Sequence, residues 1–343
     1  MKLNELLGDY FCKFNDIDVD SEYSLERISA RALINPDRID LIVKLKYIEY
    51  REKGYDLTFI KELYKAHIEA FTYGSFREPG DVNKKSIDDY FRIFDDLIDS
   101  IKENGVDERI SVIPIGKGNI ILNGSHRAAI AAYFDLSIPI IRFENLTLSY
   151  NYEYFRKRLF NQHYLDYIML EYCKFTESVT TLVLSSGGNK VNRALYKLNH
   201  PKFKIVYYKN LKLSEQDSDL INKILFRLSV NQKKAQKIKA FMIESNAPEE
   251  IQAFLSSKLC TEKEFFCLAE NRREVIEILD ILLNNYNPNI KSNQKTSLFS
   301  RTPRTMLRLV FIKNKNYLIR NGLLLLEKIH LYDAVRKVYL CFK

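Results

Sequence analysis

The stretch 110–144, ISVIPIGKGNIILNGSHRAAIAAYFDLSIPIIRFE, constrains this chain more than any other. Two short apolar runs flank GKGN (116–119), whose glycines suit a tight turn with positive φ. A polar cluster follows: Asn123, Gly124, Ser125, His126 and Arg127. Ala128, Ala129, Ala131 and Ala132 then predict a thin helix that packs close to a sheet, and SIPIIRFE predicts a third strand. The polar cluster falls where strand passes to helix. At such a junction the first backbone N–H groups have no partner inside the helix, and the helix dipole favours an anion. Gly124 lets the backbone approach a phosphate closely, and Arg127 offers a planar charged fork suited to phosphate oxygens. The plainer alternative is a strand-to-helix turn in which His126 and Arg127 bond a carboxylate.

The rest of the chain sets this junction in an α+β framework. Residues 1–75 read as helical. Ser21 and Ser24 offer caps before SLERISARALI, and Asn35 with Pro36 opens NPDRIDLIVKLKYIEYREKG, ended by Gly54. Asp56 opens a further helix ended by Gly74; His67 within it reads as packed or solvated. SFREPGDVNKK (75–85) breaks the periodicity, with Pro79, Gly80 and Asn83 marking a loop. Ser86 caps SIDDYFRIFDDLIDSIKENG, whose Tyr90, Phe91, Phe94, Leu97, Ile98 and Ile101 form one stripe, and Gly105 ends it. Beyond 150 the chain reads as helical to 175, then strand (VTTLVLSS), helix (191–198) and strand (FKIVYYKNLKL), a βαβ-like order. Residues 214–285 read as mainly helical and 291–304 as a polar linker. The expected organisation is 1–150, a helical segment plus a mixed α/β domain; 151–290, a second small α/β domain; and 291–343, a basic amphipathic helical tail.

Composition narrows the partners. Net charge is +9, yet residues 291–343 alone hold twelve Lys/Arg against two Asp/Glu, leaving the remainder near neutral. A global basic surface for duplex nucleic acid is therefore not supported, whereas a local basic element is. Leu307, Leu309, Val310, Phe311, Leu318, Ile319 and the leucines 323–326 among those charges suggest a helix pair lying on an anionic membrane surface. The alternatives are helices packed on the domain with basic outer faces, or a nucleic-acid contact. Five scattered cysteines with no CxxC spacing read as free thiols in a reducing compartment. No apolar run reaches the roughly 18 residues of a membrane span. The first residues turn acidic too early for a signal peptide, so a cytoplasmic location is expected.

The order of loop (SFREPG, 75–80), long helix (97–105), strand (111–115), NGSHR box (123–127), helix and strand resembles the ParB/sulfiredoxin-like superfamily, over about residues 70–145. The box letters refine the resemblance. Ser125 stands where sulfiredoxins carry a catalytic cysteine, so sulfur chemistry is not implied. Ser125 and His126 replace the Glu-Arg of chromosome-partition proteins. NGSHR is closest to the Asp-Gly-His-His-Arg box of the superfamily's free-serine kinases, with Asn123 in place of the acidic residue. A neutral amide can hydrogen-bond a substrate but cannot take its proton. The resemblance implies ATP or ADP phosphates on Gly124, Ser125, His126 and Arg127. It makes Glu78 the candidate general base, Asn123 and His126 its catalytic companions, Lys84 a phosphate-neutralising residue and Asp81 a Mg²⁺ ligand. The stretch from LIVKLKYIEY to FDDLID, with the C-terminal IHLYDAVRKVYLCFK, also looks like proteins of bacterial surface-polysaccharide gene clusters. That implies a sugar or polyol acceptor in capsule or lipopolysaccharide synthesis. Two other readings stay open: a ParB-like module binding nucleic acid or CTP, and a non-catalytic adaptor that keeps the fold. SSGGNK (185–190) is a weak phosphate-loop candidate beside a plain strand-ending turn.

Overall fold

The structure is a computed structural model that describes residues 2–78, 83–108, 112–176, 178–185, 203–212, 237–245, 250–251, 253, 266–269, 272–283, 303–328, 331 and 335. It is a mixed helix-and-sheet chain in two compact units, 1–164 with 292–343, and 165–291. The division thus falls at 164/165, where the sequence suggested 150, and the tail belongs to the first unit.

In the first unit, short helices α1 (Leu3–Leu7) and α2 (Asp9–Phe14) precede strand β1 (Glu26–Ser29) and a 3₁₀ turn (Ala30–Leu33). β1 corrects the expected helix over SLERISARALI. Four residues pair antiparallel with a distant strand, Glu26 opposite Ile140 and Ile28 opposite Ile138. Arg142 Nε also reaches Glu26 at 3.0 Å, so a long-range ladder and an ion pair outweigh the local helical pattern. Helix α3 (Asp40–Glu52) starts later than Asn35 and Pro36 suggested. The Asn35 carbonyl oxygen of the side chain accepts the Asp37 N–H at 3.0 Å, and the Asn35 backbone carbonyl accepts that of Arg38. This turn, not a helix cap, is what Asn35 builds.

Helix α4 (Thr58–Thr72) begins where Asp56 accepts the Thr58 N–H and hydroxyl, and buries Ile60, Leu63, Tyr64, His67 and Ile68 at helical spacing. Helix α5 (Ile87–Asn104) has the expected capping box between Ser86 and Asp89, buries Tyr90, Phe94, Ile98 and Ile101, and ends at Gly105. Strands β2 (Ile113–Gly116) and β3 (Ile120–Ile121) form the expected hairpin around 116–119. Helix α6 (Ser125–Tyr133) then leads to β4 (Ser137–Phe143), which lies parallel to β2. The sheet order is β1-β4-β2-β3. Val112, Ile141 and Phe143 meet Leu3, Leu6, Leu7, Phe11 and Cys12 of α1 and α2 on one face. Ile113, Ile115, Ile138 and Ile140 are one residue out of step with these and point to the other face. The alanines of α6 pack chiefly against α3, and less against the sheet than their small size suggested. Helix α7 (Tyr152–Lys157) follows, and α8 (Gln162–Phe175) leads across the division.

In the second unit, β5 (Val179–Ser185), β6 (Phe203–Lys212), β7 (Lys237–Ser245) and β8 (Phe266–Leu268) form a sheet of order β6-β7-β5-β8, antiparallel at every contact. The βαβ-like expectation is corrected in one respect. β5 and β6 run in the same direction, but β7, from a region read as helical, lies between them. Helix α9 (Arg272–Leu283) completes this unit. The helix expected at 191–198, the SSGGNK turn from 186 onward and the linker up to 302 lie outside the described residues. Helix α10 (Pro303–Lys328) is the first helix of the expected tail; most of 329–343, where a second would fall, lies outside the described residues. Arg320, Leu324 and Lys328 share one stripe along it, so basic and apolar side chains mix instead of separating. Among the described residues no helix is long and apolar enough to cross a membrane, and Cys12 and Cys173 are free and buried.

One buried charge cluster holds the first unit together. The Arg38 guanidinium donates to both Asp40 carboxylate oxygens at 2.8 Å, and Lys44 Nζ reaches the same carboxylate at 2.9 Å; all three side chains are at most 3% exposed. Burial alone would raise the Asp40 carboxyl, but Arg38 and Lys44 outweigh it and hold the group well below the usual carboxylate range. A depressed folded-state pKa gives stability that is present above the unfolded value, near 3.9, and lost as pH falls below it. Asp40→Asn should lower unfolding stability at pH 7 by about 3–5 kcal/mol, because two buried cations lose their counter-charge. Urea unfolding at pH 7 and at successively lower pH checks both: the native chain weakens below about pH 4, and the variant lacks that component.

Candidate functional site

The hairpin β2–β3 delivers the chain to Asn123, and Gly124 turns it into α6. Gly124 sits at φ +80°, in the left-handed region that costs an L side chain strain. A Cβ there would lie 2.5 Å from Ile113 Cδ1 and 2.6 Å from Arg127 Nη2. Glycine is therefore required twice, for the turn and for the space into which the Arg127 guanidinium folds. The first bond of α6 runs from the Ala128 N–H to the Gly124 carbonyl at 3.0 Å. The N–H groups of Ser125, His126 and Arg127 precede it, and no side chain caps them. The Asn123 amide oxygen accepts the Gly124 N–H at 2.7 Å, so Asn123, exposed at the rim, has its NH₂ left for a ligand.

Arg127 is half-buried and makes no ion pair or hydrogen bond with a described residue. Burial alone lowers its pKa, to about 10, which still leaves it charged at neutral pH. His126 likewise makes no contact with a carboxylate. Its Nε2 lies 2.7 Å from the Tyr64 hydroxyl, and its ring stands edge-on to Phe94 with centroids 4.7 Å apart. The turn is therefore not one in which these two residues satisfy a structural carboxylate.

On the inner side, Lys84 Nζ lies 2.8 Å from Glu78 Oε2 and 5.0 Å from the Tyr90 ring centroid. The Glu78 carboxylate is near enough to act on Tyr64 and Lys44, and the Lys44 and Lys84 ammonium groups act on His126. Burial first, and these two cations next, push the His126 pKa well below its ordinary value, so the ring is neutral at physiological pH. His67, fully buried, is held neutral in the same way, chiefly by burial and then Lys44, and neither of its ring nitrogens reaches a partner among the described residues.

The structure thus brings Glu78, Lys84 and His126 into one charged neighbourhood and joins it to Gly124, Ser125 and Arg127 through the first turn of α6. Asp81 lies outside the described residues. Lys44, Tyr64, Arg38 and Asp40 were not singled out from sequence. Their signal was present in part: Lys44 interrupts the apolar run LIVKLKYI, and Asp40 precedes it by four residues, the spacing of a helical ion pair. Nothing local marked Tyr64, whose partner is 62 residues away.

The phosphates of ATP or ADP fit the outer half on two observations, the unpaired Arg127 guanidinium and the space that a Cβ at Gly124 would fill. The described residues do not by themselves fit Mg²⁺. No three His, Cys, Asp or Glu gather among them, and Glu78 and Asp40 are both engaged by cations. Gly124→Ala should cost about 1–3 kcal/mol from the left-handed backbone alone, and more from the contact with Ile113; chemical unfolding measures it. Comparison with protein-family models, with curated proteins and with solved structures finds no match to this chain.

Proposed function

We propose that the first unit is a phosphate-binding enzyme domain, a nucleotide-dependent kinase for a small hydroxyl-bearing acceptor such as a sugar or polyol. The observation that carries this reading is Arg127: a half-buried guanidinium with no partner among the described residues, folded over the uncapped start of α6. A charge left unpaired in a partly dry site is costly unless a ligand completes it, and the ligand that matches N–H groups plus a guanidinium fork is a phosphate. The nucleotide would supply the transferable phosphoryl group. Phosphoryl transfer asks the protein mainly for positioning and charge stabilisation. Gly124 admits the phosphate oxygens to the backbone, and the N–H groups of Ser125 and Arg127, with the Arg127 fork, fix them. Glu78, ion-paired with Lys84, whose ammonium acts on His126, accepts the proton of the acceptor hydroxyl. Lys84 keeps that carboxylate oriented. Asn123 offers its NH₂ at the rim, where the acceptor enters. The resemblance to surface-polysaccharide proteins supports a sugar or polyol acceptor.

Removing Arg127 orphans no polar group among the described residues, so Arg127→Ala should fold and melt like the parent. Its affinity for ATP and ADP should fall about 10- to 100-fold, the worth of a charge-assisted hydrogen-bond pair. Isothermal titration calorimetry reads this directly, and equal affinities in the two proteins reject the reading. Salt-sensitive retardation of DNA by the native chain, without nucleotide affinity, would favour the ParB-like alternative.

A further inference from the structure

We propose that Tyr64 is a positioning residue that locks His126 in the tautomer with its proton on Nδ1, making the ring a hydrogen-bond donor at the start of α6. Tyr64 is completely buried, and its hydroxyl makes one hydrogen bond, to His126 Nε2 at 2.7 Å. The phenol carries a single proton. Were His126 to donate from Nε2, that proton would have no acceptor, since Tyr64 makes no other hydrogen bond among the described residues. A buried hydroxyl left in that state is unfavourable. Tyr64 therefore donates and Nε2 accepts. A neutral imidazole has one proton, so it sits on Nδ1. The doubly protonated ring is disfavoured by its burial beside Lys44 and Lys84. The ring plane is fixed as well. Phe94 stands edge-on to it, and Phe94 is itself stacked on Tyr64 with centroids 5.6 Å apart. His126 Nδ1 has no partner among the described residues.

The consequence bears on the roles at the site. A ring whose only lone pair is already occupied by Tyr64 cannot take a proton from a substrate hydroxyl. It can donate Nδ1–H to an anionic oxygen lying on the same helical turn as Gly124 and Arg127. The base of the proposed kinase is then Glu78, and His126 is a ligand for phosphate. This assignment of roles rests on the kinase reading, but the tautomer does not.

Long-range ¹H–¹⁵N correlation of the imidazole nitrogens in the full chain tests it, with the His126 signals identified by their absence in His126→Gln. At neutral pH the native chain should show His126 as a single species with Nδ1 protonated and Nε2 bare. Tyr64→Phe should lose that single pattern and show a mixture of tautomers. A native spectrum with the proton on Nε2 overturns the proposal, whether or not Tyr64→Phe folds, as does an unchanged pattern in a folded Tyr64→Phe. A native Nδ1–H pattern in a chain that binds no nucleotide would support the lock while removing the kinase reading, so the two failures are distinct.

Discussion

The first unit depends on one carboxylate. Asp40, the first residue of α3, bridges Arg38 and Lys44 at once in a buried setting. Its position at a helix start adds the favourable end of the helix dipole. Such a cluster is poor evidence for net stability, because each charge has been desolvated, but it is strict about geometry: no member tolerates the loss of another. Arg38 carries that strictness to the sheet, since its guanidinium also donates to the Ile121 carbonyl in β3 and stacks over Tyr150 at 5.1 Å. Lys44, one turn along α3, carries it towards His126 and His67.

The strand that Arg38 pins is the one that ends two residues before Asn123. The site is therefore placed by a fixed polar contact, and its two halves differ in charge state. On the inner side the charges are paired: Glu78 with Lys84, Asp40 with Arg38 and Lys44. Both histidines there are kept neutral by burial and by the lysines. On the outer side Arg127 remains unpaired. The polarity of the site thus follows from which cations find carboxylates within the fold. The aromatic packing of α4 and α5, through Tyr64 and Phe94, converts the remaining polar group, His126, into a ring of fixed plane with its acceptor nitrogen occupied.

Local signals were readable where one short stretch held the whole message. The capping box at Ser86, the stop at Gly105, the hairpin around 116–119, the small helix and the strand after it all stand in the structure as the residues imply. Reading failed where a partner lay far along the chain. Glu26–Ser29 is a strand because β4, over a hundred residues later, offers a free edge and Arg142. The local pattern around β7 predicts helix, yet the segment fills the place between β5 and β6, which only the completed sheet defines. A period-two pattern over four residues does not compete with a helical pattern until the paired edge is present.

The sequence by itself determined the glycine-then-basic junction at 123–127, because a left-handed residue, a helix start and an arginine are encoded by adjacent letters. It also determined the helix that carries Phe94 and the loop that carries Glu78. Tertiary structure alone decided that Arg127 meets no carboxylate among the described residues, that Glu78 is matched to Lys84, and that Tyr64 occupies one nitrogen of His126. These are questions of which charge or proton meets which across tens of residues. Electrostatic pairing and burial are properties of the packed interior, and no local pattern of letters fixes them.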